Sequence, residues 1–310
     1  MTKTWPKALV LGIISSVFFS VTYVVNSAMA QSGGDWLWSA SLRYLLMFPI
    51  LLVLTGKSGW KRVFGELKRA PLGWLLWSGV GFTAFYAPLT FASAYGPSWM
   101  VAGVFQLTIL AGALETPLFR GADGSRQKIP TKLFPAFVVI ILGVFALQAE
   151  QMRNDPDVGK ALLFAIPVLI SAFAYPLGNR KTMALCQTEL TAMERVLAMT
   201  AASLPFWLIL SAIALARSGL PPAGQLTKAL AVAVFSGVAA TGLFFHATNL
   251  VRTEPQRLAL VESTQCGEVI FSLLGGILFL RDPLPGVFGW VGLALIVGGM
   301  LINSLLTKNK

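Results

Sequence analysis

Ten runs of apolar residues recur along the whole chain, and each is long enough to cross the hydrocarbon core of a bilayer as a helix. A core of about 30 Å requires about 20 residues, because an α-helix rises 1.5 Å per residue. The predicted spans are 8–30, 36–54, 72–95, 98–119, 133–149, 160–179, 193–216, 229–250, 257–280 and 285–306. The connections between them are too short for a soluble domain, so the chain is predicted to be an all-α integral membrane protein with ten transmembrane helices.

The composition excludes the main soluble classes. Hydrophobic residues make up 55% of the 310 residues and charged residues 12%, about half of the roughly 25% that is usual in soluble domains. A soluble fold of this size has too little interior for so much apolar surface. Two cysteines cannot form a disulfide framework. Disordered, coiled-coil and disulfide-rich classes are therefore excluded as well.

The basic residues are distributed unevenly between the two sides of the predicted bundle. Eighteen of the 24 Lys and Arg residues lie in the termini and the even-numbered connections, five lie in the odd-numbered connections, and Arg43 lies within a span. Because cytoplasmic connections are enriched in Lys and Arg, both termini are predicted to be cytoplasmic, in a bacterial inner (plasma) membrane. Topology thus explains the net charge of +11, and no nucleic-acid partner is predicted.

An offset of about 152–158 residues brings two halves of the chain into register. Tyr23 then corresponds to Tyr175, and Arg43 corresponds to Arg195. The halves, residues 1–152 and 153–310, contain five predicted spans each, and an odd number inverts the second half relative to the first. Inverted repeats are typical of transporters, whose binding site lies between the repeats near the bilayer midplane. The sequence therefore predicts two inverted five-helix repeats.

Several short motifs are shared with a known family. They are Leu42-Arg43-Tyr44, Glu268-Val269-Ile270-Phe271 through Gly275-Gly276, Arg281-Asp282-Pro283-Leu284, Gly289, Gly292-Leu293-Ala294-Leu295-Ile296 and Gly298-Gly299. On these residues the chain resembles the drug/metabolite transporter superfamily, in its ten-helix EamA-like branch, and in particular the multidrug resistance efflux transporter group. The family commonly has proline at Val269, glutamate at Asp282, a Gly-Glu pair at Gly121-Ala122-Asp123 and glycine at Ala136.

The resemblance covers nearly the whole chain. It implies the ten-helix transporter fold and the transport of small organic solutes. It leaves the substrate open, because the family carries drugs, amino acids and other metabolites. The glycines of Gly289 to Gly292 and of the pairs Gly275-Gly276 and Gly298-Gly299 are predicted to allow close packing of helices.

A polar stripe runs along the predicted ninth span. Glu262, Gln265 and Glu268 fall within an arc of about 120°, since successive helical residues are about 100° apart. Such a stripe must face protein or water rather than lipid. We predict that Glu262 and Glu268 line a cavity and exchange protons, because desolvation favours the protonated form of a carboxyl group. The alternative is a buried acid that holds helices together.

Two further ionisable residues lie within predicted spans. Arg43 must find a carboxylate, carbonyl groups or an anionic group of the substrate, and a gating or structural role is predicted for it. His246 lies at a depth similar to that of Glu262, so a proton relay between them is one hypothesis. A hydrogen-bonded histidine that packs between helices is the alternative.

Three charged residues lie near the predicted cytoplasmic ends of spans. Glu115 is four residues from the end of its span, about 6 Å in a helix, so its carboxylate is predicted to reach the headgroups. Glu194 and Arg195 are predicted to form an ion pair at the interface.

Polar and aromatic side chains within the spans form a candidate substrate-binding set. Its predicted members are Tyr23, Asn26, Tyr86, Gln106, Tyr175, Asn179, His246 and Gln265. Aromatic faces suit cationic or aromatic solutes. The alternative for each residue is a hydrogen bond between helices, which is common in membrane bundles.

Motifs of enzymes and of metal or nucleotide sites are absent from the sequence. The single histidine excludes a histidine cluster, and no HExxH, GxSxG, Walker A or GxGxxG pattern occurs. Neither a cofactor nor a metal site is predicted, and the connections are too short for an ATP-driven motor.

The sequence favours a secondary active exporter that works by alternating access and exchanges a small organic solute for protons. An uncoupled facilitator, or an importer of an amino acid or similar metabolite, is the first alternative. A membrane enzyme acting on lipids is the second. The expected partners are the solute, protons and the lipid bilayer, and the chain is expected to act as a monomer or a homodimer.

Overall fold

A computed structural model describes residues 4–120, 125–251 and 255–307. Within these ranges the protein is helical, and the only bridged extended residues are Arg120 and Arg126. Ten apolar helices, numbered in chain order, cover the ten predicted spans. They are α1 (Trp5–Gln31), α2 (Trp36–Arg69), α3 (Pro71–Ala92), α4 (Ser98–Leu114), α5 (Thr131–Asn154), α6 (Val158–Leu185), α7 (Ala192–Ser218), α8 (Ala223–Leu250), α9 (Leu260–Leu280) and α10 (Val287–Thr307).

Nine of these helices, counted over the described ranges, are long and apolar enough to cross a membrane. The prediction of an all-α multi-pass membrane protein is therefore confirmed. The remaining helix, α4, is shorter and consists of the segments Ser98–Phe105 and Thr108–Leu114. The predicted end at residue 119 is too late: Pro117 disfavours helical backbone at the residue before it, and a 3-10 turn at Thr116–Leu118 follows the helix.

The second helix continues beyond its predicted end at residue 54. Gly56 interrupts α2 with φ 64° and ψ 176°, a conformation that favours glycine. The helix then resumes and ends at Arg69. Across the break, the Trp60 indole N–H donates to the carbonyl oxygen of Leu52 at 2.6 Å. Residues 57–69 are called the surface helix below. The sequence predicts that they lie in a connection, because their composition is basic.

The outer surface of the bundle is strongly apolar. Val53 and Phe279 are each 80% exposed, which in water would leave large apolar side chains unburied, whereas lipid solvates them. Some residues used in the predictions lie outside the described residues: Lys3, Arg252, Lys308, Lys310 and the Gly121-Ala122-Asp123 motif.

Glycines bring α5 and α10 into direct backbone contact. A Cβ atom at Gly292 would lie 2.8 Å from the carbonyl oxygen of Gly143, and one at Gly299 would lie 3.1 Å from that of Ala136. The close packing predicted at Gly292 and Gly299 therefore follows from backbone proximity. Gly298 differs from that prediction, since a Cβ atom there would meet nothing within 4 Å.

This contrast gives a matched pair of substitutions on one helix. Gly292→Ala is expected to lower the apparent melting temperature in detergent by about 5 °C, because overpacking a helix contact costs on the order of 1–3 kcal/mol. Gly298→Ala is expected to leave it unchanged. Thermal unfolding followed by tryptophan fluorescence measures both, and equal melting temperatures for the two variants would contradict the observed packing.

Candidate functional site

A cavity of about 630 Å³ lies between the helices near the centre of the bundle. Every helix except α5 contributes described residues to its lining. Its lining extends along α10 from Met300 to Thr307, the last described residue of the chain. Since nine helices converge on it, the cavity is the main candidate for a solute-binding site.

One wall of the cavity is the polar stripe of α9. Glu262, Gln265 and Glu268 all line the cavity, on the same face of the helix. The Tyr23 hydroxyl of α1 donates to Oε2 of Glu268 at 3.3 Å. The side-chain amide nitrogen of Gln265 is buried and has no hydrogen-bond partner among the described residues. The structure thus brings two carboxyl groups and an unsatisfied amide to one cavity.

The remaining wall is largely aromatic. The Tyr175 ring lies 4.8 Å from that of Phe85 and 6.0 Å from that of Phe105, between ring centroids. Tyr44 also lines the cavity and stacks on Trp207 of α7, with centroids 4.5 Å apart and an angle of 8° between the ring planes. These rings present apolar and π surfaces beside the carboxyl groups. A cationic or aromatic solute matches this combination of charge and ring faces.

Arg43 lines the cavity from α2 and contacts neutral groups. Its Nη1 donates to Oγ1 of Thr22 at 3.3 Å, and its Nη2 donates to Oγ of Ser236 at 3.4 Å. The guanidinium carbon lies 4.3 Å from the centroid of the Tyr86 ring, which gives a cation–π contact. Its Nε has no hydrogen-bond partner in the described part of the chain. Hydroxyl groups and rings thus hold the guanidinium, and no carboxylate of the described ranges pairs with it.

Two predicted amides line the cavity but bond within their own helices. Nε2 of Gln106 donates to the carbonyl oxygen of Ala102 at 3.2 Å. Nδ2 of Asn179 donates to the carbonyl oxygen of Tyr175 at 2.8 Å. Both bonds use the amide nitrogen, so the amide oxygen is the group with which each residue can meet a solute.

Three residues of the predicted binding set lie away from the cavity lining. The Tyr86 hydroxyl donates to Oδ1 of Asn26 at 3.0 Å, and both residues are buried. Asn26 instead lines a second cavity, of about 460 Å³, toward the α1–α2 connection. His246 is exposed. On α8 it points about 140° away from Thr241, which lines the central cavity.

His246 and Glu262 therefore form no hydrogen bond among the described residues, and the structure does not assemble the hypothetical relay. The physical reason is helix orientation: equal depth in the membrane does not place two residues on facing sides of their helices.

The cavity also contains residues that were not predicted. Arg180 of α6, Arg195 of α7 and Asn303 of α10 all contribute to its lining. The repeat contained a signal for Arg195, because this residue corresponds to Arg43. No comparable signal marked Arg180 or Asn303.

The expected ion pair between Glu194 and Arg195 is wrong. Glu194 pairs with Arg62 of the surface helix and accepts a hydrogen bond from the backbone N–H of Thr191 at 2.9 Å. It therefore caps the start of α7. Arg195 turns to the cavity, where its guanidinium carbon lies 5.7 Å from the centroid of the Phe245 ring.

Glu115 also differs from its prediction. Its side chain is only 5% exposed, so it does not reach the headgroups. Neither carboxylate oxygen has a hydrogen-bond partner in the described ranges. It is not among the residues that line the central cavity.

The different surroundings of Arg43 and Arg62 predict opposite effects of removing their charges. Arg43→Gln is expected to leave the apparent melting temperature unchanged or to raise it, because a buried charge without a carboxylate partner is costly. Arg62→Gln is expected to lower it by several degrees, because Glu194, which is 3% exposed, loses its cationic partner. Thermal unfolding in detergent compares the two variants, and a large loss for Arg43→Gln alone would assign this arginine a stabilising role.

Comparisons with known proteins agree with a transporter. A family model described as "EmrE: Putative multidrug resistance efflux transporter" matches residues 6–309. The uncharacterized protein YjlA of Bacillus subtilis (strain 168) is 46% identical over 313 residues, which cover 98% of this chain and 96% of that protein. An uncharacterized 42.1 kDa protein of Shouchella clausii is 47% identical over 268 residues, 84% of this chain and 70% of that protein.

The fold also matches a solved structure. A crystal structure of a protein with 13% sequence identity superposes with a TM-score of 0.61, over 97% of this chain and 98% of that one. At this level of identity the likeness concerns the fold alone.

Proposed function

The chain belongs to the EmrE multidrug resistance efflux transporter family, and from this premise we propose that it is a secondary active exporter that exchanges a small organic solute for protons. The family consists of membrane transporters and not of enzymes. The general function, transport of small solutes across a membrane, follows from the family to which the chain belongs. The direction, the coupling to protons and the solute class are the proposal.

The observation that carries the proposal is a carboxyl group at an aromatic cavity. Glu268 lines the cavity with Tyr23 and Tyr175, so a cationic solute that enters meets both a negative charge and ring faces. A proton that binds to the same carboxyl group removes this charge. Proton and cation therefore compete for one site, and this competition is the minimal requirement for exchange.

Alternating access requires two conformations of similar energy, which two inverted repeats supply. We assign the repeats to residues 1–152 and 153–310. Residues at corresponding repeat positions support this assignment. Tyr23 and its counterpart Tyr175 line the central cavity, and so do Arg43 and its counterpart Arg195. A site lined by equivalent residues of both halves is the arrangement expected for inverted repeats.

The cavity in this conformation extends toward the side predicted to be cytoplasmic. Arg180, Arg195 and Thr307 belong to the ends of α6, α7 and α10 on that side, and all three line it. On the other side, Oδ2 of Asp282 accepts hydrogen bonds from the backbone N–H and the hydroxyl of Ser98, at 3.0 and 2.8 Å. We therefore assign this structure to the inward-facing state of a protein in the bacterial plasma membrane, with both termini in the cytoplasm.

Replacement of Glu268 tests the site of coupling. In proteoliposomes, Glu268→Gln is expected to reduce solute-dependent proton movement to the level of empty liposomes, because the amide cannot exchange a proton. A pH-sensitive dye inside the liposomes measures this movement as cationic aromatic compounds, amino acids and other metabolites are added in turn. The matched control is Glu115→Gln, which alters a membrane-embedded acid outside the cavity lining and is expected to retain proton movement. Wild-type behaviour of Glu268→Gln would remove its assigned role.

The size of the accumulated gradient tests coupling independently of any mutation. If one proton exchanges for one monovalent cation, a pH difference of one unit supports about a tenfold solute gradient at equilibrium, since both correspond to about 1.4 kcal/mol. The steady-state distribution of a labelled solute measures this ratio. An uncoupled facilitator gives equal concentrations on both sides at any pH difference, and that result would replace the exchanger with the facilitator.

A further inference from the structure

The surface helix carries a basic stripe that no internal partner uses. Lys57, Lys61, Phe64 and Lys68 are all exposed, and at about 100° per residue they fall within an arc of about 60°. None of the three lysines forms a hydrogen bond or an ion pair among the described residues. The stripe is therefore available to a partner outside the protein.

The opposite face of the surface helix is fixed to the bundle. Val63 and Glu66 are 0% and 3% exposed, respectively. Oε1 of Glu66 accepts hydrogen bonds from the backbone N–H and the hydroxyl of Thr188, at 3.0 and 2.6 Å. Since Thr188 belongs to the connection between α6 and α7, this face is fixed to the bundle, and the basic stripe lies on the opposite face of the helix.

The arginines of this helix form ion pairs within the protein, whereas its lysines form none among the described residues. Arg62 pairs with Glu194, and Arg69 pairs with Glu66 at 2.8 Å. The arginines thus neutralise buried acids and contribute no free charge to the stripe. Internal ion pairs account for the presence of the arginines on this helix, but they do not account for the three aligned lysines.

The position of the helix relative to the apolar surface indicates what the lysines meet. The surface helix begins three residues after Leu54. Val53 and Leu54 are 80% and 58% exposed and belong to the apolar part of α2 that precedes the break at Gly56. Phe64 lies among the lysines and is 38% exposed. An aromatic ring between basic residues, at the end of an apolar span, is typical of a helix that lies in the interface of a membrane.

We propose that Lys57, Lys61 and Lys68 bind the headgroups of anionic phospholipids while Phe64 inserts between the acyl chains. Juxtamembrane lysines gain about 1 kcal/mol each near an anionic surface, about fivefold in affinity. The stripe lies outside the central cavity, so lipid binding there is separate from the binding of the transported solute. Because Glu66 of the same helix is bonded to Thr188, lipid binding by the surface helix is linked to the position of the α6–α7 connection.

The test uses the full-length protein in phosphatidylcholine nanodiscs with increasing fractions of phosphatidylglycerol. The apparent melting temperature is expected to rise with the phosphatidylglycerol fraction. In the variant Lys57→Gln/Lys61→Gln/Lys68→Gln this rise is expected to disappear, since three lysines together account for a change in affinity on the order of 100-fold. The melting temperature in pure phosphatidylcholine is expected to equal that of the unmodified protein, which verifies folding.

Matched variants separate the stripe from charge in general. Arg126→Gln/Lys128→Gln/Lys132→Gln removes the same charge from exposed residues before and at the start of α5, and it is expected to keep the response. Lys57→Arg/Lys61→Arg/Lys68→Arg is expected to keep it as well. A full response in the Lys57/Lys61/Lys68 glutamine variant, or an equal loss in both glutamine variants, would overturn the proposal.

Two measurements on the unmodified protein do not depend on any variant folding. The response is expected to fade toward 1 M salt, where the Debye length is about 3 Å, and a response unaffected by salt would contradict binding of headgroups by lysines. Soluble glycerol phosphate, added to phosphatidylcholine nanodiscs, is expected to have no effect at matched concentration. If it reproduces the rise, the stripe binds free anions and the assignment to lipid is wrong.

Discussion

Hydrocarbon cannot hydrogen-bond to a polar side chain, and this constraint arranges the rest of the structure. Several polar groups within the spans turn inward and find partners on other helices. Tyr23 reaches Glu268, Tyr86 reaches Asn26, and Arg43 reaches two hydroxyl groups. Each contact joins two different helices. The same inward orientation leaves a central cavity with polar and aromatic walls, so the requirement for stability in lipid also creates the candidate site for a solute.

Two kinds of helix contact coexist in the bundle. Between α5 and α10, glycines such as Gly143 and Gly292 let the backbones touch, and α5 contributes no described residue to the cavity. Side-chain hydrogen bonds, such as those of Arg43, join other helices around the cavity, but α3 and α6, which both line it, also touch at Gly81 and Gly178. Backbone contacts permit little sliding, whereas a hydrogen bond between side chains can exchange partners. Both kinds of contact therefore occur at helices that line the cavity.

Charge is used differently at three depths. At the cytoplasmic end, Arg62 neutralises Glu194, so the acid stabilises the start of α7. In the cavity, Arg43 and Glu268 each meet a neutral hydroxyl group, which leaves both charges able to interact with a solute. On the surface helix, Lys57, Lys61 and Lys68 are exposed and form no hydrogen bond or ion pair within the part of the chain that the structure describes.

The sequence by itself determined the ten apolar helices and the shared face of Glu262, Gln265 and Glu268, because both depend on spacing along one helix. It also indicated the cavity position of Arg195, through its correspondence to Arg43. The tertiary structure alone decided which faces of different helices meet. It excluded His246 from the cavity, gave Glu194 the partner Arg62 and buried Glu115, since hydropathy measures depth in a membrane but carries no information on how one helix is rotated against the next.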